Sequence, residues 1–356
     1  MKVGLVSTLA AGGPVEHTLT LAGGLVEAGV EVRVVCATRA VAERLEAVGA
    51  SAVVSPLRHQ LDVGGARRMR HALAGVDVVH GHDRRAGLWI RLLPPAGAAR
   101  VYTVHGLPDP YLPPPAGPER PGWRARLAYR GVDARLAPRA DAIITVSHAV
   151  KQQLVSRLGW PAQRITVIPN GVALDPPLEQ LGELVGTLAN FVPVKGLEVF
   201  LDAAARLAPT HPQARFALFG DGPLAPALRA RAQRLGLDGA VRFPGRVPAR
   251  SALAELAVFV MPSHMENGPI ALLEAMTAGV PVVASQVGGV PELAPPGTAL
   301  LVPPGDPAQL ATAIARLLDE PGLAQALRAD ARAHIEATGG APTMVARTLA
   351  LYESLR

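Results

Sequence analysis

Short apolar runs alternate along this chain with longer amphipathic segments. The runs are continuous and rich in β-branched residues, as expected for parallel strands that are covered on both faces. In the first half of the chain they predict strands at residues 2–7, 31–36, 52–54, 76–80, 100–104, 142–146 and 165–168. Helical periodicity predicts helices between them at residues 17–28, 40–48, 65–74, 85–93, 123–137 and 149–158. This alternation predicts a parallel sheet with right-handed crossovers.

A segment rich in turn-forming residues interrupts this rhythm near the middle of the chain. Pro169, Asn170 and Gly171 are soon followed by Pro176 and Pro177, and such residues mark breaks in regular structure. The alternation then restarts, with strands predicted at 184–188, 215–219, 241–243, 258–261, 282–284 and 299–302, and helices at 196–207, 224–235, 251–256, 270–278, 307–318, 323–337 and 343–355. The pattern therefore predicts two doubly wound α/β domains.

The length of 356 residues suits two such cores better than one. We predict an N-terminal domain at residues 1–172 and a C-terminal domain at 173–340. A final helix at 341–356 is expected to pack back toward the N-terminal domain. Two doubly wound halves that face each other form a cleft, and ligands of such sheets bind beyond the carboxyl ends of the strands.

The composition is that of a globular chain, with 49% hydrophobic and 18% charged residues. The formal net charge of +6 has two interpretations. One is a solvated surface that favours Arg. The other is attraction to phosphates, in a nucleotide sugar, an anionic lipid surface or nucleic acid. Nucleic acid fits least, because no basic run is interleaved with aromatic residues.

Cellular location is indicated only by what the sequence lacks. Cys36 is the single cysteine, lies in an apolar run and is predicted to be a buried strand residue, so an intrachain disulfide is excluded. The apolar start of the chain is too short for a signal peptide, and no run approaches the ~18–20 apolar residues of a membrane span. We expect a cytoplasmic protein, with peripheral contact to the inner face of the membrane left open.

A long loop and a basic segment follow the strand at 100–104. Residues 108–121 contain seven prolines and cannot form a helix, and a loop of this length is usually functional or mobile. The helix predicted after it begins Trp123-Arg124-Ala125-Arg126 and is basic and amphipathic. It is predicted to be either an ordinary surface helix or one that lies on a membrane.

The strongest chemical signal lies after the strand predicted at 258–261. Glu266 falls in the loop, and Glu274 falls eight positions later, inside the next helix. Gly268 permits a sharp turn and Pro269 suits the first helical turn, so the helix N-terminus can offer N–H groups to a phosphate. The ordinary alternative is a helix with two unrelated acids. Against it, Glu274 enters an apolar setting where an unpaired carboxylate is costly.

Further motifs extend this signal over nearly the whole chain. They are Gly12-Gly13, Thr103-Val104-His105-Gly106, Ser147-His148-Ala149-Val150, Ile168-Pro169-Asn170-Gly171-Val172, Lys195-Gly196, Phe219-Gly220-Asp221-Gly222-Pro223 and Gly288-Gly289-Val290-Pro291-Glu292. In this order, together with Glu266 and Glu274, they resemble the E-x7-E signature and flanking motifs of the retaining glycosyltransferases of family four. The resemblance implies the GT-B fold, with two Rossmann-like domains. It also implies sugar transfer from a UDP- or GDP-sugar to a hydroxyl acceptor. The basic helix suggests that this acceptor is lipid-linked.

The resemblance also implies roles for individual residues. Lys195 would neutralise the donor diphosphate, Glu274 would hold the ribose, and His105 would contact the sugar or its phosphate. A cation at a helix start is unfavourable by the helix dipole alone, which favours a bound anion at Lys195. Glu266 would hold the donor sugar with the backbone of Asn267, Gly268, Pro269 and Ile270. Gly12, Gly13, Gly220, Gly222 and Val247 would line the diphosphate and nucleotide pocket, although each glycine pair by itself is also typical of a plain turn.

One position departs from the family pattern. Asn190 stands where members commonly carry an Arg that shares the diphosphate. Either another Arg reaches the diphosphate, or Asn190 suffices, or catalysis is slow. The last case leaves a catalytically weakened nucleotide-sugar-binding protein as the alternative function. A phosphorylase or a nucleotide-sugar epimerase of the same fold is a further alternative, although no pocket for pyridoxal phosphate is evident.

No cofactor or metal ion is implied. His80 and His82 are metal-friendly residues close to a strand end, but the adjacent sequence supplies no further ligands. The segment is interpreted as a loop on the acceptor side.

Overall fold

The computed structural model describes residues 1–106 and 123–356, with the backbone alone for Ala125, Arg126, Tyr129 and Arg130. The strands are β1 Lys2–Val6, β2 Glu31–Cys36, β3 Ser51–Val54, β4 Val78–Gly81, β5 Ala99–Val104, β6 Ala142–Thr145, β7 Ile165–Val167, β8 Leu184–Leu188, β9 Arg215–Phe219, β10 Val241–Gly245, β11 Leu256–Met261, β12 Val282–Ser285 and β13 Leu300–Val302. The Pro-rich loop predicted at 108–121 lies outside the described residues.

Helices alternate with these strands. They are α1 Gly13–Glu27, α2 Arg39–Ala47, α3 Val63–Ala72, α4 Arg84–Leu92, α5 Trp123–Arg126, α6 Ala134–Leu136, α7 His148–Leu158, α8 Leu197–Leu207, α9 Ala225–Arg234, α10 Ala249–Ala254, α11 Ile270–Ala278, α12 Val290–Leu293, α13 Pro307–Asp319, α14 Pro321–Thr338 and α15 Ala341–Ser354. A π-helical segment, Leu127–Asp133, joins α5 to α6. No helix in the described ranges has the length and apolar character needed to cross a bilayer.

The described residues divide into two compact units. The first contains 1–106, 123–173 and 340–356, and the second contains 174–339. The sequence analysis predicts domain transitions at 172/173 and 340/341.

The first unit is built on a parallel sheet with the strand order β3-β2-β1-β4-β5-β6-β7. Neighbouring strands pair in parallel, for example Leu5 with Val34 on one side and with His80 on the other. The helix α15 belongs to this unit: Ala341 N–H donates to the Val172 carbonyl at 2.8 Å, and Tyr352 is fully buried. The chain therefore leaves the first unit near residue 173 and completes it with its last helix.

The second unit has the sheet order β10-β9-β8-β11-β12-β13. Its neighbouring strands pair in parallel, and its core packs α8 and α13 beside the central strands. In both units the strand order reverses beside the first strand of the unit, β1 or β8, which is the switch point where such sheets bind ligands.

Some predicted boundaries are wrong in detail. The helix α1 begins at Gly13 rather than 17, because Gly12 takes φ 98° and ends the preceding loop there. The strand β10 extends to Gly245, two residues beyond the end predicted at 243. Pro269 precedes α11 and does not occupy its first turn.

Candidate active site

Lys195 lies in the loop between β8 and α8. A short 3-10 turn, Pro193–Lys195, ends at Gly196, which has φ 58°. A Cβ added at Gly196 would lie 2.2 Å from the Pro262 carbonyl oxygen, so only glycine allows this approach. His264 N–H donates to the Val194 carbonyl at 2.9 Å. These contacts bring the loop of Lys195 against the segment that follows β11.

Glu266 is the carboxylate that this approach places beside Lys195. The Lys195 Nζ lies 2.7 Å from Glu266 Oε1, and the Ser263 hydroxyl donates to the same oxygen at 2.7 Å. The Glu266 side chain is only 8% exposed, against 27% for Lys195, so the ammonium is the more accessible partner of the pair. A buried carboxylate is stable only when it is paired, and both contacts meet that requirement.

The backbone of Glu266 is fixed as well. Gly289 N–H donates to the Glu266 carbonyl at 3.1 Å. A Cβ added at Gly288, which has φ 50°, would lie 1.7 Å from that same carbonyl oxygen. Gly288 and Gly289 therefore pack directly against the backbone of Glu266.

The helix α11 starts immediately after this loop. Asn267, Gly268 and Ile270 are half-buried, and Pro269 is buried. The first N–H groups of a helix have no partner within it and carry the positive end of the dipole, so they suit an anion. Glu274 is half-buried farther along α11. The sequence prediction of a carboxylate loop followed by a helix N-terminus is thus matched by the local geometry.

The glycines predicted to line the nucleotide pocket have a clear steric role. A Cβ at Gly220, which has φ 123°, would lie 1.9 Å from the Ala189 carbonyl oxygen, and one at Gly222 would lie 2.7 Å from the Phe191 carbonyl oxygen. The turn after β9 is therefore pressed against the loop that carries Asn190. Asn190 itself is exposed, and Val247 is half-buried beyond the end of β10.

In the first unit, His105 lies beyond the end of β5 and meets two other histidines. Its ring centroid is 4.8 Å from that of His17 and 6.0 Å from that of His82. His17 Nδ1 lies 2.9 Å from the Asn170 Oδ1. Burial lowers the pKa of His17 to about 4 and the pKa values of His82 and His105 well below 6.5. All three imidazoles are therefore neutral at pH 7.

Gly12 and Gly13 stand at the N-terminus of α1 in the same unit, where the Gly12 carbonyl accepts from the Val15 N–H at 2.9 Å.

The structure adds His17 and Asn170 to the histidines that the sequence singled out. No spacing rule finds this group, because its members come from α1, the ends of β4 and β5, and the segment before the second unit.

Comparison with known proteins identifies the family of this chain. The model of "Glycosyl transferases group 1" matches residues 182–320, and that of "Glycosyltransferase Family 4" matches residues 11–176. A glycogen synthase of Mycobacterium tuberculosis is 30% identical over 292 residues, which cover 78% of this chain and 68% of that protein. The chain belongs to the group 1 glycosyltransferases. This match confirms the predicted family and enzyme class, and enzymes of this group use nucleotide sugars.

Two further proteins are similar to this glycosyltransferase. An exopolysaccharide phosphotransferase of Streptomyces coelicolor is 37% identical over 195 residues, which cover 52% of this chain and only 20% of that protein. The crystal structure of HepE from Anabaena in complex with UDP and glucose matches with a TM-score of 0.86, covering 99% of this chain and 100% of that one at 21% identity. This likeness confirms the predicted GT-B fold of two Rossmann-like domains.

The first unit of the glycosyltransferase contains a cavity of about 780 Å³. His82, Asp83, Arg84 and His105 line it, and Asp83 also caps α4 by accepting from Arg85 N–H and Ala86 N–H at 3.0 Å each. The same carboxylate accepts from the Thr8 hydroxyl at 2.7 Å. The cavity therefore has a rigid polar wall at the carboxyl ends of β1, β4 and β5.

Proposed function

We propose that this glycosyltransferase is a retaining enzyme that moves a sugar from a UDP- or GDP-sugar to a hydroxyl acceptor. The observation that carries the proposal is the placement of Lys195 against the loop that ends at the N-terminus of α11. An ammonium and a set of unpaired helix N–H groups are the two elements that stabilise a diphosphate as it gains charge. That the HepE complex contains UDP supports a donor of this kind.

The proposed reaction is a front-face displacement. The acceptor oxygen attacks the anomeric carbon on the face from which the diphosphate leaves, the bond from that carbon to the diphosphate oxygen breaks, and a diphosphate oxygen takes the acceptor proton. Lys195 neutralises the charge that develops on the leaving group. The step requires no metal ion, because this cation and the α11 amides supply the stabilisation.

Glu266 can have either of two roles in the proposed reaction. Its carboxylate is held by Lys195 and Ser263, which suits a residue that orients the donor sugar. A covalent glycosyl intermediate on Glu266 also gives retention. Rapid-quench mass spectrometry of the intact protein during turnover distinguishes them: a protein adduct with the mass of one sugar supports the covalent route, and its absence under single-turnover conditions supports front-face displacement.

The proposed acceptor is lipid-linked or part of an envelope glycan, met at the membrane surface. Trp123 is 70% exposed and Leu127 is 59% exposed, and the Arg124 guanidinium lies 5.4 Å from the Trp123 ring. Exposed apolar side chains beside a cation suit the interface of an anionic bilayer. Sedimentation with phosphatidylglycerol vesicles should carry the wild type and release Trp123→Ser. Equal sedimentation of both proteins would remove this part of the proposal.

A second candidate function is a nucleotide-sugar-binding protein with weakened turnover. Asn190 favours it, because the position lacks the cation that family members commonly place there. Calorimetry that shows donor binding, combined with no transfer to any of a pool of glycolipid and glycan acceptors, would favour this candidate.

The experiment that tests the main proposal combines a donor screen with product analysis. Melting temperatures are measured against UDP-, GDP- and ADP-sugars, since a ligand that binds the native state raises the melting temperature. Transfer from the stabilising donor is then followed by NMR, which reports the anomeric configuration of the product. An inverted product would exclude the retaining mechanism.

A further inference from the structure

Two cations line the cavity of the first unit and have no role in the donor chemistry described above. They are Arg58, which is exposed, and Arg85, which is half-buried. In the described parts of the chain, neither guanidinium has a carboxylate within ion-pair distance. A guanidinium carries five N–H donors in a planar fork, so both side chains keep donors for an anion that enters the cavity.

The two guanidiniums belong to the same wall of the cavity. Arg85 donates through Nη1 to the carbonyl of Leu57, the residue that precedes Arg58 in the chain. Leu57 is buried, and the Arg58 N–H donates to Asp62 Oδ2 at 2.9 Å. The backbone beside both cations is therefore fixed, which lowers the entropy that binding must remove.

The carboxylates that line the cavity are engaged elsewhere. Asp83 accepts from the Thr8 N–H at 2.5 Å and from the Thr8 hydroxyl at 2.7 Å, and it also caps α4. Asp133 is shared by Arg84, at 2.7 Å, and by the fully buried Arg91, at 2.8 Å. The charges of Arg58 and Arg85 are thus left to a ligand.

We propose that Arg58 and Arg85 bind a phosphate group of the acceptor, so that the acceptor is a phosphate ester. The inference rests on the proposed sugar transfer and gives its acceptor a chemical class. Guanidinium forks match the oxygens of a phosphate in pairs. His105, which the resemblance places at the donor sugar or its phosphate, lines the same cavity, and a volume of about 780 Å³ accommodates a sugar-sized ligand.

The first experiment measures the binding of inorganic phosphate. It uses the full chain with Lys195→Ala, which removes the cation of the donor site. Calorimetric titration in a chloride buffer should show saturable binding. Adding Arg58→Gln or Arg85→Gln should weaken this binding at least about tenfold, because a charge-assisted contact is lost. Adding Arg139→Gln, which removes an exposed arginine of the same unit outside the cavity lining, is the matched control and should leave the affinity unchanged.

The outcome of this titration does not depend on turnover or on a nucleotide sugar, so it is separate from the test of the proposed function. Arg85→Lys keeps the charge without the fork and should bind phosphate with intermediate affinity. Arg58 is exposed, so Arg58→Gln remains informative if an Arg85 variant fails to fold. No saturable binding to Lys195→Ala, or equal weakening by Arg139→Gln and the two cavity variants, would overturn the proposal.

The second experiment distinguishes a soluble phosphate ester from a lipid headgroup. Transfer by the wild type from its stabilising donor is measured to glucose-6-phosphate and to glucose. It is also measured to vesicles of phosphatidylcholine that contain either phosphatidylinositol or the neutral glycolipid monoglucosyldiacylglycerol. One phosphate-bearing acceptor should exceed its neutral counterpart at least about tenfold in kcat/KM. Equal transfer to a neutral acceptor would overturn the proposal, and the phosphate titration decides it where no member of the set accepts sugar.

Discussion

Lys195 and Glu266 are 71 positions apart in the chain, and the Lys195 Nζ lies 2.7 Å from the Glu266 Oε1. The contact depends on two glycines with positive φ, Gly196 and Gly288, each of which lets one backbone segment approach a carbonyl oxygen. The loops of Lys195 and Glu266 thus lie close together because Gly196 and Gly288 allow it, and the Lys195 ammonium comes to lie beside the loop that leads into α11.

Loss of the Lys195 ammonium should reduce transfer more than donor binding. Removing one donor that stabilises a developing charge costs about 3 kcal/mol, so Lys195→Ala should lower kcat about 100-fold or more. Steady-state kinetics with the preferred donor checks this. Arg242→Ala, which breaks the exposed pair with Glu255 in the same unit, is the control and should keep wild-type kcat. An unchanged kcat in Lys195→Ala would show that the ammonium is not at the leaving group.

Restoring a cation at position 190 should raise activity. Asn190 is exposed beside the turn of Gly220 and Gly222, so a longer side chain has room. A bidentate cation on the diphosphate makes charge-assisted hydrogen bonds, and Asn190→Arg should raise kcat/KM about tenfold or more. Asn190→Gln adds length without charge and serves as the control. If Arg gives no gain over Gln, position 190 does not face the diphosphate.

Gly288 should tolerate no side chain. An alanine Cβ would overlap the Glu266 carbonyl, so the loop must move, and Gly288→Ala should lower the melting temperature and abolish transfer. Gly236 also has positive φ, 68°, but an added Cβ meets nothing within 4 Å among the described residues. Gly236→Ala should therefore cost only the backbone strain of about 1–2 kcal/mol and keep its activity. Similar losses in both variants would contradict the steric argument.

The first unit should lose stability in mild acid. Burial lowers the pKa values of His17, His80, His82 and His105, so each is neutral when folded but takes a proton when unfolded below pH 6.5. Stability is therefore full above pH 6.5 and falls as the pH drops toward 4. For His17, whose pKa is lowered from 6.5 to about 4, the loss reaches about 3 kcal/mol. Calorimetric scans between pH 7.5 and 5 check this.

The control for the pH prediction is His17→Gln, which cannot take up a proton. Its melting temperature should fall less steeply with acid than that of the wild type. Parallel curves for the two proteins would mean that His17 is accessible to protons in the folded state.

Much of the fold could be predicted because its strands are buried on both faces. Such strands form continuous apolar runs, and the predicted strands β2, β8 and β9 coincide with those observed. The helix α11 was also predicted with its observed bounds, since Pro269 and Gly279 mark its two ends. The four-residue helix α12 was missed because it is too short to show a period.

The candidate site was predicted less completely. Lys195, Glu266 and Glu274 stand in motifs, so the sequence could single them out as candidates. The contacts of Ser263 with Glu266 and of Asn170 with His17 join residues whose pairing depends on the folded topology. His17 carried no local signal, because its neighbours in space are 65 and 88 positions away in the chain, at His82 and His105.

The contact between Lys195 and the donor diphosphate can be measured by calorimetric titration of UDP and of GDP into the wild type, Lys195→Ala and Arg242→Ala. One of the two nucleotides should bind the wild type and Arg242→Ala with equal affinity. It should bind Lys195→Ala at least about tenfold more weakly, because a charge-assisted contact to the diphosphate is lost. Binding of neither nucleotide, or equal affinity in all three proteins, would show that Lys195 does not hold the diphosphate of a nucleotide donor.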